Sequence, residues 1–590
     1  MKFLLSVTVL VFAMTMALTD AQTSCGPRVR RNWDAMTDTE KTTYKGALAA
    51  AMDSGTYIKF VEIHTEMRSE MEAHRQCMFI YWHRLFLVVF ENMLRGQGPE
   101  YACVTIPYFN WMEANSKMLS GECKTLSECS PIMTELGGFA GASKTVVIDG
   151  VKVTGTCASE APLNHFCQSS STTGTACVGC VPRGDWEAVK VPASTSYASV
   201  LRQVFNGTDI GKVSRAVERG CHAEIHSALG STMAMFQSPA DPIFWSHHAM
   251  LDALLTIFHK CRVGTRRMSF EEKAADPVAW SSCKRRVGTG SAGEPFKPTD
   301  VVTMRTGENG LNPINGSKDP LIGQYFTGVP NRFADLTDVS DLGPSSYTYE
   351  ISGLLATMYS TCGGTPVTDI KTPAPATSTP APSPTPTTNV PTSATPMTAS
   401  PSHMTNTPGP VPVAPATTPA LAGDRSIKAQ ANGIRSFFSW LFGTFVNGPK
   451  ARRRLSSCRT TTTQKRADKP STATAIDGLR HNDLVIATNL SRSEQRVMNW
   501  YNASIASSGG SSIENIADME RQVCMFQDQC LGGIIGYTEE FKALWGITEP
   551  RCRTIVNAIK SGEQEIADAA WKEKMEAHFG CPQPVNEVAS

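Results

Sequence analysis

Six histidines fall into two separated groups whose residue type and spacing could bind metal. They are His64, His74, His83, His222, His226 and His248. Imidazole nitrogen is a ligand for copper and zinc, and three histidines on one metal leave a coordination position open for a small ligand or substrate. Because no cysteine or carboxylate holds a comparable position in either group, the pattern favours copper that handles oxygen over structural zinc, which usually takes cysteine.

The first group precedes and enters a predicted helix. Apolar residues recur at helical intervals from Phe79 to Leu94, which predicts a helix with a buried stripe, and His83 lies on or beside that stripe. His74 is nine positions before His83, so at about 3.6 residues per turn the two would point to opposite sides of one continuous helix. If both bind one metal, His74 lies in the lead-in to the helix and His64 comes from the preceding element.

The second group is predicted to lie on two helices. His222 and His226 are four positions apart, which places both imidazoles on one helical face. A further helix is predicted over residues 244–258, and it opens with the adjacent pair His247 and His248. Adjacent residues are about 100° apart on a helix, so a single metal generally takes only one of this pair. For any of these histidines taken alone, a hydrogen-bonded core position is the more common alternative.

The rest of the sequence limits the class of protein. Residues 2–21 have the pattern of a secretory signal peptide, and nothing later offers the roughly 20 consecutive apolar residues of a spanning helix. Eighteen cysteines are typical of a disulfide-bonded protein in an oxidising compartment. Four Asn-x-Ser/Thr sequons also occur, at Asn206, Asn315, Asn489 and Asn502. The net charge of +1 does not indicate the basic surface that nucleic-acid-binding proteins usually carry. We therefore predict a secreted protein that does not bind nucleic acid.

Composition divides the chain into five predicted parts. They are a signal peptide (1–21), a folded domain (25–362), a Pro/Thr/Ser-rich linker (363–423), a basic and aromatic connecting segment (424–470) and a helical, cysteine-containing C-terminal domain (471–590). Within the connecting segment, an apolar stretch at 434–446 precedes a basic run at 450–454. This pattern fits a membrane-surface or partner-docking helix, and equally a buried plug or an exposed processing site. Cell-surface or wall association is therefore one prediction for the C-terminal region.

Two motifs carry a resemblance to a known family. Residues 82–91, WHRLFLVVFE, closely resemble the first-copper signature of tyrosinases, catechol oxidases and molluscan haemocyanins. Residues 241–252, DPIFWSHHAMLD, resemble the second-copper signature of the same family. The two signatures together are very specific, and the resemblance covers roughly residues 25–362.

Two weaker markers occur in the same order as in that family. Residues 107–111, PYFNW, resemble its Pro-Tyr-Trp-Asp-Trp segment, and residues 347–349, YTY, resemble the paired-tyrosine motif that closes the catalytic domain. By analogy with the family, the partner of the paired tyrosines would be Arg30 or Arg31.

The resemblance implies a mainly α fold, with a disulfide-bearing four-helix bundle that holds a dinuclear copper site, and a cofactor of two copper ions. The implied ligands are His64, His74 and His83 for the first copper, and His222, His226 and His248 for the second. His247 would then lie behind the ligands, and Phe244 would pack beside the metals. Asp252 and Asp241 would fix ligand orientation or helix ends, as groups around a metal site commonly do.

The sequence departs from the family at one position that bears on activity. Tyrosinases active on monophenols often carry Asn directly after the first histidine of the second copper, where it helps a Glu hold a water that deprotonates the phenol. Ala223 stands there, and neither Glu218 nor Glu224 sits at the family's glutamate position. The sequence therefore favours catechol oxidase activity over full tyrosinase activity. Met235 or Phe236 is expected to overhang the second copper and to restrict the size of the ring that enters.

Two expectations concern cysteines near the histidines. Cys77 is expected in a disulfide, with Cys103 as its suggested partner. Cys221, beside His222, is expected to be a structural half-cystine. Some family members have a cysteine that is thioether-linked to a histidine, but Glu72 stands at that position, so this crosslink is not expected.

The resemblance implies a secreted oxidoreductase that converts o-diphenols, with monophenols as a second class, to o-quinones with molecular oxygen. Its partners would be small phenols and oxygen. Haemocyanin-like oxygen binding is one alternative, although one catalytic unit rather than a tandem array argues against it. A non-enzymatic secreted surface glycoprotein on a copper-protein scaffold is the other, although all six histidines are present.

The C-terminal region has two interpretations. In several relatives a C-terminal segment covers the copper site until it is cut away, and the basic residues 452–454 offer a protease a target. An independent binding or anchoring module is the alternative.

Overall fold

The computed structural model describes residues 25–287, 292–363, 484–487 and 489–581, which belong to one compact unit. The predicted signal peptide, the predicted linker beyond Gly363 and the segment 424–470 with its basic run lie outside the described residues. Among the described residues, no helix combines the length and apolar character needed to cross a lipid bilayer.

The described part of the chain is mainly helical, as expected. Several helices begin at a capping box, in which a Ser or Thr and a Glu three residues later satisfy the free N–H groups at the helix start, as at Thr37 and Glu40. In chain order, the helices are α1 (Asp38–Asp53), α2 (Thr56–Thr65), α3 (Met67–Ala73), α4 (Phe79–Arg95), α5 (Trp111–Leu119), α6 (Leu126–Cys129), α7 (Ile132–Glu135), α8 (Tyr197–Phe205), α9 (Ile210–Val217), α10 (Ala223–Leu229), α11 (Ile243–Arg262), α12 (Phe270–Ala275), α13 (Gly353–Thr361), α14 (Arg492–Ser508), α15 (Ile513–Cys530), α16 (Glu539–Trp545), α17 (Arg551–Lys560) and α18 (Trp571–Phe579).

Short strands form small sheets at the edges of the helical core. They are β1 (Val29–Arg30), β2 (Ser143–Ile148), β3 (Val151–Ala158), β4 (Val181–Arg183), β5 (Lys284–Arg286), β6 (Ala292–Pro295), β7 (Arg305–Thr306), β8 (Ile314–Asn315), β9 (Thr348–Ile351) and β10 (Val485–Ile486). Strands β2, β3 and β4 are antiparallel, whereas β9 pairs in parallel with β1 on one side and with β10 on the other. Arg30 lies opposite Tyr349, and Val485 lies opposite Glu350. The C-terminal region therefore begins by extending a sheet of the central domain.

Four helical segments form the bundle that carries the histidines: α2, α4, α10 with the turn before it, and α11. The predicted helices around His83 and His248 are confirmed as α4 and α11, which pack against each other in the core. The rings of Phe90 on α4 and Trp245 on α11 are stacked with centroids 3.4 Å apart. The Trp245 indole N–H donates to the hydroxyl of Tyr57 on α2, so aromatic packing fixes three of the four segments to one another.

Eight disulfides join described cysteines, and they confirm that Cys77 is disulfide-bonded but correct its suggested partner and the expectation for Cys221. The pairs are Cys25–Cys103, Cys77–Cys283, Cys123–Cys129, Cys157–Cys180, Cys167–Cys177, Cys261–Cys362, Cys524–Cys552 and Cys530–Cys581. The suggested Cys77–Cys103 pair is wrong because the two residues flank opposite ends of α4, whose 17 residues span about 25 Å at about 1.5 Å per residue. The expectation for Cys221 is also wrong, since its thiol is free and buried.

Candidate metal centre

The first histidine group converges from three elements. His64 lies on α2, His74 follows α3 in an extended conformation, and His83 lies on α4. The break between α3 and α4 confirms that His74 belongs to the lead-in and lets it face the same point as His83. One ring nitrogen from each of the three lies within 4.8 Å of the others, so this group could hold a metal ion.

The second histidine group is built on a helix with an irregular entry. The segment Glu218–His222 is a π-helical turn that continues into α10, where His226 lies, and Gly220 inside it has non-helical backbone angles. Such turns recur at functional sites because they change the direction in which the following side chains point. His248, on α11, completes the group, and its Nε2 lies 3.4 Å from Nε2 of His226.

Main-chain carbonyl groups hold four of the six rings in one orientation. In each case the carbonyl oxygen accepts a hydrogen bond from Nδ1, which leaves Nε2 deprotonated in a neutral ring and free to bind metal. The pairs are His64 with Phe236 (2.7 Å), His83 with Phe79 (2.9 Å), His222 with Glu218 (3.0 Å) and His226 with Met233 (2.5 Å). Nε2 of His64, His83 and His222 is buried without a hydrogen-bond partner among the described residues, and a metal would satisfy it.

Burial keeps these rings in the form that binds metal. It lowers the pKa of His64 to about 3 and the pKa of His226 to about 4, and it also lowers the pKa values of His74, His83 and His222. A buried imidazolium would lose its hydration, so the neutral ring is favoured at all but acidic pH. The residues present therefore fit a pair of metals that take neutral nitrogen ligands.

The two groups face each other across a single small volume. The rings of His83 and His248, one from each group, are stacked with centroids 4.3 Å apart. Phe244 lies between the groups, with its ring centroid 4.2 Å from that of His248 and 5.2 Å from that of His64. Phe244 thus packs against a ring of each histidine group. Two metals held here would be close enough to act on one small molecule.

His247 lies closer to the second group than expected. Both of its ring nitrogens are buried without a hydrogen-bond partner among the described residues, and one of them lies within 4.8 Å of nitrogens of His222, His226 and His248. Its ring is nearly parallel to that of His222, with centroids 5.6 Å apart. The geometry therefore brings a fourth histidine to this group.

Asp252 ties the second-group helix to the tyrosines near the end of the central domain. It accepts hydrogen bonds from Arg84 (2.6 Å), from the hydroxyls of Tyr347 (2.5 Å) and Tyr349 (2.6 Å), and from Arg30 (3.3 Å). The guanidinium of Arg30 also lies 3.7 Å from the centre of the Tyr347 ring. Of the two candidate arginines, Arg30 thus partners the tyrosines, and the buried network fixes the direction of α11.

Asp241 holds the start of α11, as expected. Its carboxylate accepts two hydrogen bonds from Arg183 (2.7 and 2.8 Å) and one from the main-chain N–H of Ile243 (3.1 Å). A carboxylate at this position accepts a hydrogen bond from a free N–H and interacts favourably with the positive end of the helix dipole.

The segment between α10 and α11 contacts both groups, since the carbonyl of Met233 bonds to His226 and Phe236 lies beside the first group. The ring of Phe236 lies 5.2 Å from that of His74 and 6.3 Å from that of His64, with its carbonyl bonded to His64. The ring contacts of Phe236 are thus with the first group, and an overhang of the second copper by Met235 or Phe236 stays a prediction. The main chain of Met235, the other candidate, is held in this segment by a hydrogen bond from its N–H to the carbonyl of Thr232.

The C-terminal region supplies a side chain to the site that was not predicted from the sequence. The ring of Trp545, the last residue of α16, lies 5.2 Å from that of His74, 5.5 Å from that of His222 and 5.0 Å from that of His226. Its indole N–H donates to the carbonyl of Ala234 at 2.8 Å. The indole therefore covers rings of both histidine groups.

A small apolar cluster holds this tryptophan in place. Tyr537, Phe541 and Trp545 pack on Ala223 and Phe236 around the site. These three C-terminal aromatics are spaced four positions apart, which is a helical stripe. This stripe is the feature of the sequence that could have pointed to Trp545. Because such a stripe is equally typical of a core helix, it could not have identified a residue at the metal centre.

Comparisons with known proteins agree with this geometry. Residues 54–260 match the family described as "Common central domain of tyrosinase". The chain is similar to a tyrosinase of Streptomyces antibioticus, with 28% identity over 241 residues that cover 38% of this chain and 81% of the relative. It is also similar to a tyrosinase of Streptomyces glaucescens, with 27% identity over 248 residues that cover 38% of this chain and 80% of the relative.

Among solved structures, a polyphenol oxidase from Thermothelomyces thermophila matches 57% of this chain and 93% of its own length, with 18% identity and a TM-score of 0.35. The matched region 54–260 contains both histidine groups, in the order and on the helices that the two signatures require. Residues 54–260 therefore form a central domain of the tyrosinase family, type 3 copper proteins whose members bind a pair of copper ions.

Proposed function

We propose that this tyrosinase-family oxidoreductase is a secreted phenol oxidase, which converts o-diphenols to o-quinones with molecular oxygen and is covered by its own C-terminal region. The observation that supports this most directly is the pair of facing histidine groups, whose buried, neutral rings present free nitrogens to one shared volume. Six disulfides within residues 25–362 support an oxidising, extracellular location.

In this proposal each histidine group holds one copper. The ligands would be His64, His74 and His83 for one ion, and His222, His226 and His248 for the other. When bound, the copper pair supplies the electron transfer: two diphenols each lose two electrons and two protons, and one oxygen molecule becomes two waters. The protein would hold the rings through main-chain carbonyls, pack Phe244 beside the substrate ring and exclude water from the buried site.

Diphenols are favoured over monophenols because the residue directly after His222 cannot help to hold a water for a base. Ala223 has no polar side-chain group that could hold a water. Glu218 accepts a hydrogen bond from the main-chain N–H of Arg75, and Glu224 accepts one from the main-chain N–H of Arg551 in the C-terminal region. One oxygen of each glutamate is thus engaged with the main chain. A diphenol, whose second hydroxyl eases oxidation, depends less on a base.

The position of Trp545 supports a latent state. A phenol ring cannot reach either histidine group while the indole lies on His74 and His226. Activity would therefore require the C-terminal region to move. The same cover also favours a second candidate function, reversible oxygen binding, because it admits a diatomic gas more readily than an aromatic ring.

Turnover measurements on the full chain distinguish these functions. Copper-loaded parent protein and a Trp545→Ala variant would be compared for oxygen uptake and quinone formation, with dihydroxyphenylalanine and with tyrosine as substrates. We expect the variant to oxidise the diphenol about tenfold faster than the parent, because loss of ~1.4 kcal/mol of the free energy that holds the cover closed corresponds to that factor. We expect it to oxidise tyrosine slowly.

A Trp571→Ala variant serves as the matched control, because this C-terminal tryptophan lies on α18 and is only partly buried. It should behave like the parent. If copper-loaded Trp545→Ala takes up oxygen reversibly and forms no quinone, the protein is an oxygen carrier and the proposed oxidase activity is wrong.

A further inference from the structure

We propose that Arg75 selects phenols that carry a carboxylate on a short side chain. This inference rests on the proposed phenol oxidase function and names the substrate class of the same site. It goes beyond the copper ligands because Arg75 would contact the far end of the substrate rather than the reacting ring.

Arg75 has a fixed position beside the first histidine group. It directly follows His74, and its backbone adopts a left-handed conformation (φ 59°) that residues other than glycine rarely take. Two hydrogen bonds hold this turn, one from the N–H of His74 to the carbonyl of Glu70 and one from the N–H of Arg75 to Glu218. An unfavourable backbone conformation held from both sides is characteristic of functional sites.

The guanidinium of Arg75 lies at the rim of the covered volume. A Cβ atom added to Gly546 would lie 3.2 Å from Cδ and 3.3 Å from Nη1 of Arg75. Gly546 follows Trp545, whose indole covers the histidines. When the C-terminal region leaves, Arg75 is therefore exposed at the mouth of the site that the indole vacates.

The hydrogen-bond donors of Arg75 are only partly used by its neighbours. Nη2 lies 3.2 Å from Glu70, but Glu70 is shared with Arg286, whose Nη1 lies 3.1 Å from the same oxygen. Nε of Arg75 is buried and makes no hydrogen bond with the described residues. Arg75 therefore keeps an unused N–H donor beside Glu70 and Glu218, and arginine binds carboxylates through paired N–H groups.

The covering segment shows the distance that a substrate would have to span. One methylene separates the indole of Trp545 from its main chain, and the next residue, Gly546, reaches Arg75. A phenol ring lying where the indole lies, with an acid group two or three carbons away, would follow the same path. Arylpropionic and aryl amino acids have this shape, whereas simple catechols do not.

A matched pair of substrates tests the proposal in the full-length, copper-loaded Trp545→Ala background. Dihydrocaffeate and its methyl ester share the same ring and differ in the charge of the side chain. We expect the background protein to have a KM for the acid about fivefold below that for the ester, a modest factor because the rim is reached by solvent. Arg75→Gln should remove this difference through KM rather than kcat, and Arg75→Lys should restore part of it.

Binding without turnover provides a second measurement. Calorimetry on copper-free protein would compare the binding of phenylpropionate with that of its methyl ester, and we expect the same preference for the acid. The preference should be lost in Arg75→Gln and retained in the control variant Arg332→Gln. Arg332 pairs with Asp335, and its guanidinium lies 3.6 Å from the centre of the Phe270 ring, away from the histidines.

Two outcomes overturn the role of Arg75: equal KM values for acid and ester in the background protein, or an Arg75→Gln variant that changes both equally. Failure of the oxidase proposal is a different result, in which the ester is not oxidised at all. The copper-free binding measurement still tests Arg75 in that case.

Discussion

The chemistry of each imidazole depends on a division of roles between its two nitrogens. A main-chain carbonyl accepts a hydrogen bond from the proton-bearing Nδ1 of His64, His83, His222 and His226, which fixes both the tautomer and the ring direction. These acceptors are main-chain atoms, so substitutions of the residues that carry them would leave the hydrogen bonds in place. The ligand positions are therefore set by the backbone path and not by a second set of polar side chains.

The first prediction separates the two adjacent histidines on α11. We expect His248→Asn to lose about half of the bound copper, because its Nε2 points at Nε2 of His226 from 3.4 Å away. His247→Asn should retain two coppers per chain if His247 only packs beside the ligands. Elemental analysis of the copper content, after loosely bound metal has been removed, distinguishes the two variants. Loss of one copper ion in both variants would show that His247 is needed as well.

The second prediction concerns pH. Burial lowers the pKa of His64 to about 3 and that of His226 to about 4, from an ordinary value of 6.5, so the folded site takes up protons only in acid. Copper content should therefore be constant between about pH 7 and about pH 5 and fall as the pH drops through about 4. Dialysis at stepped pH followed by metal analysis checks this; copper release centred near 6.5 would contradict it.

The same shifts fix the sign of the pH effect on stability. The unfolded chain protonates these histidines near 6.5 and the folded, copper-free chain does not, so the unfolded state binds more protons below that pH. The free energy of unfolding of copper-free protein should thus be highest above about pH 6.5 and decrease as the pH falls towards 4. Thermal unfolding followed by circular dichroism measures this decrease.

At the scale of elements, the cover is a short helix held by its surroundings. Helix α16 has seven residues; the side chain of Thr538 caps its start, and Gly546, which adopts φ 63°, follows its last residue. So short a helix is not stable alone in water. Its position depends on the disulfide Cys524–Cys552, which closes the chain around it, and on contacts that α15 makes with α8 of the central domain.

A buried ion-pair cluster joins α15 to α8. The carboxylate of Glu520 is fully buried and accepts hydrogen bonds from Ser199 (2.6 Å) and Arg202 (2.7 Å) on α8. Arg551, in the C-terminal region, donates two more at 2.5 and 2.9 Å. A buried carboxylate with this many donors is specific to the docked arrangement, because separation of the two helices would remove half of its partners.

The third prediction follows from that cluster. We expect Glu520→Gln to raise diphenol turnover of the intact, copper-loaded chain about tenfold, since loss of ~1.4 kcal/mol of docking free energy gives that factor. Arg202→Gln, which removes one of the two side-chain bonds from α8 to Glu520, should act in the same direction. Oxygen uptake with dihydroxyphenylalanine is the measurement.

Lys560→Gln is the control for these variants. Its pair with Asp528 lies within the C-terminal region and is exposed, so its loss should leave turnover at the parent level. If Glu520→Gln unfolds at a lower temperature but gains no turnover, the cluster stabilises the fold without holding the cover in place.

At the scale of the whole molecule, the described disulfides form two separate sets. Six lie within residues 25–362 and two within residues 524–581, and none of those described connects the two regions. The central and C-terminal regions are therefore joined by the intervening chain and by non-covalent contacts, among them the parallel pairing of β10 with β9.

The fourth prediction is that one cut between the regions does not by itself uncover the site. After cleavage at residues 452–454, the two fragments should elute together in gel filtration under native conditions and retain low turnover. On a non-reducing denaturing gel they should separate. Immediate activation upon cleavage would show that the intervening chain, and not the docked contacts, holds the cover.

Much of the fold and site could be predicted from local patterns. Helical spacing around His83 and the four-residue step from His222 to His226 placed these residues on helices, and the nine-residue step placed His74 ahead of its helix. The disulfide of Cys77 could not be predicted, because the order of cysteines along the chain does not show which ends of α4 lie near which other segments.

Residue types and helical spacing are enough to indicate the metal chemistry, since they decide which nitrogens can face one point. What covers that point depends on how distant segments pack. Phe236 lies over the first group, and Trp545, more than 300 residues along the chain from His226, lies over both. Contacts between segments so distant in sequence depend on the packing of the whole chain, and no local pattern encodes them.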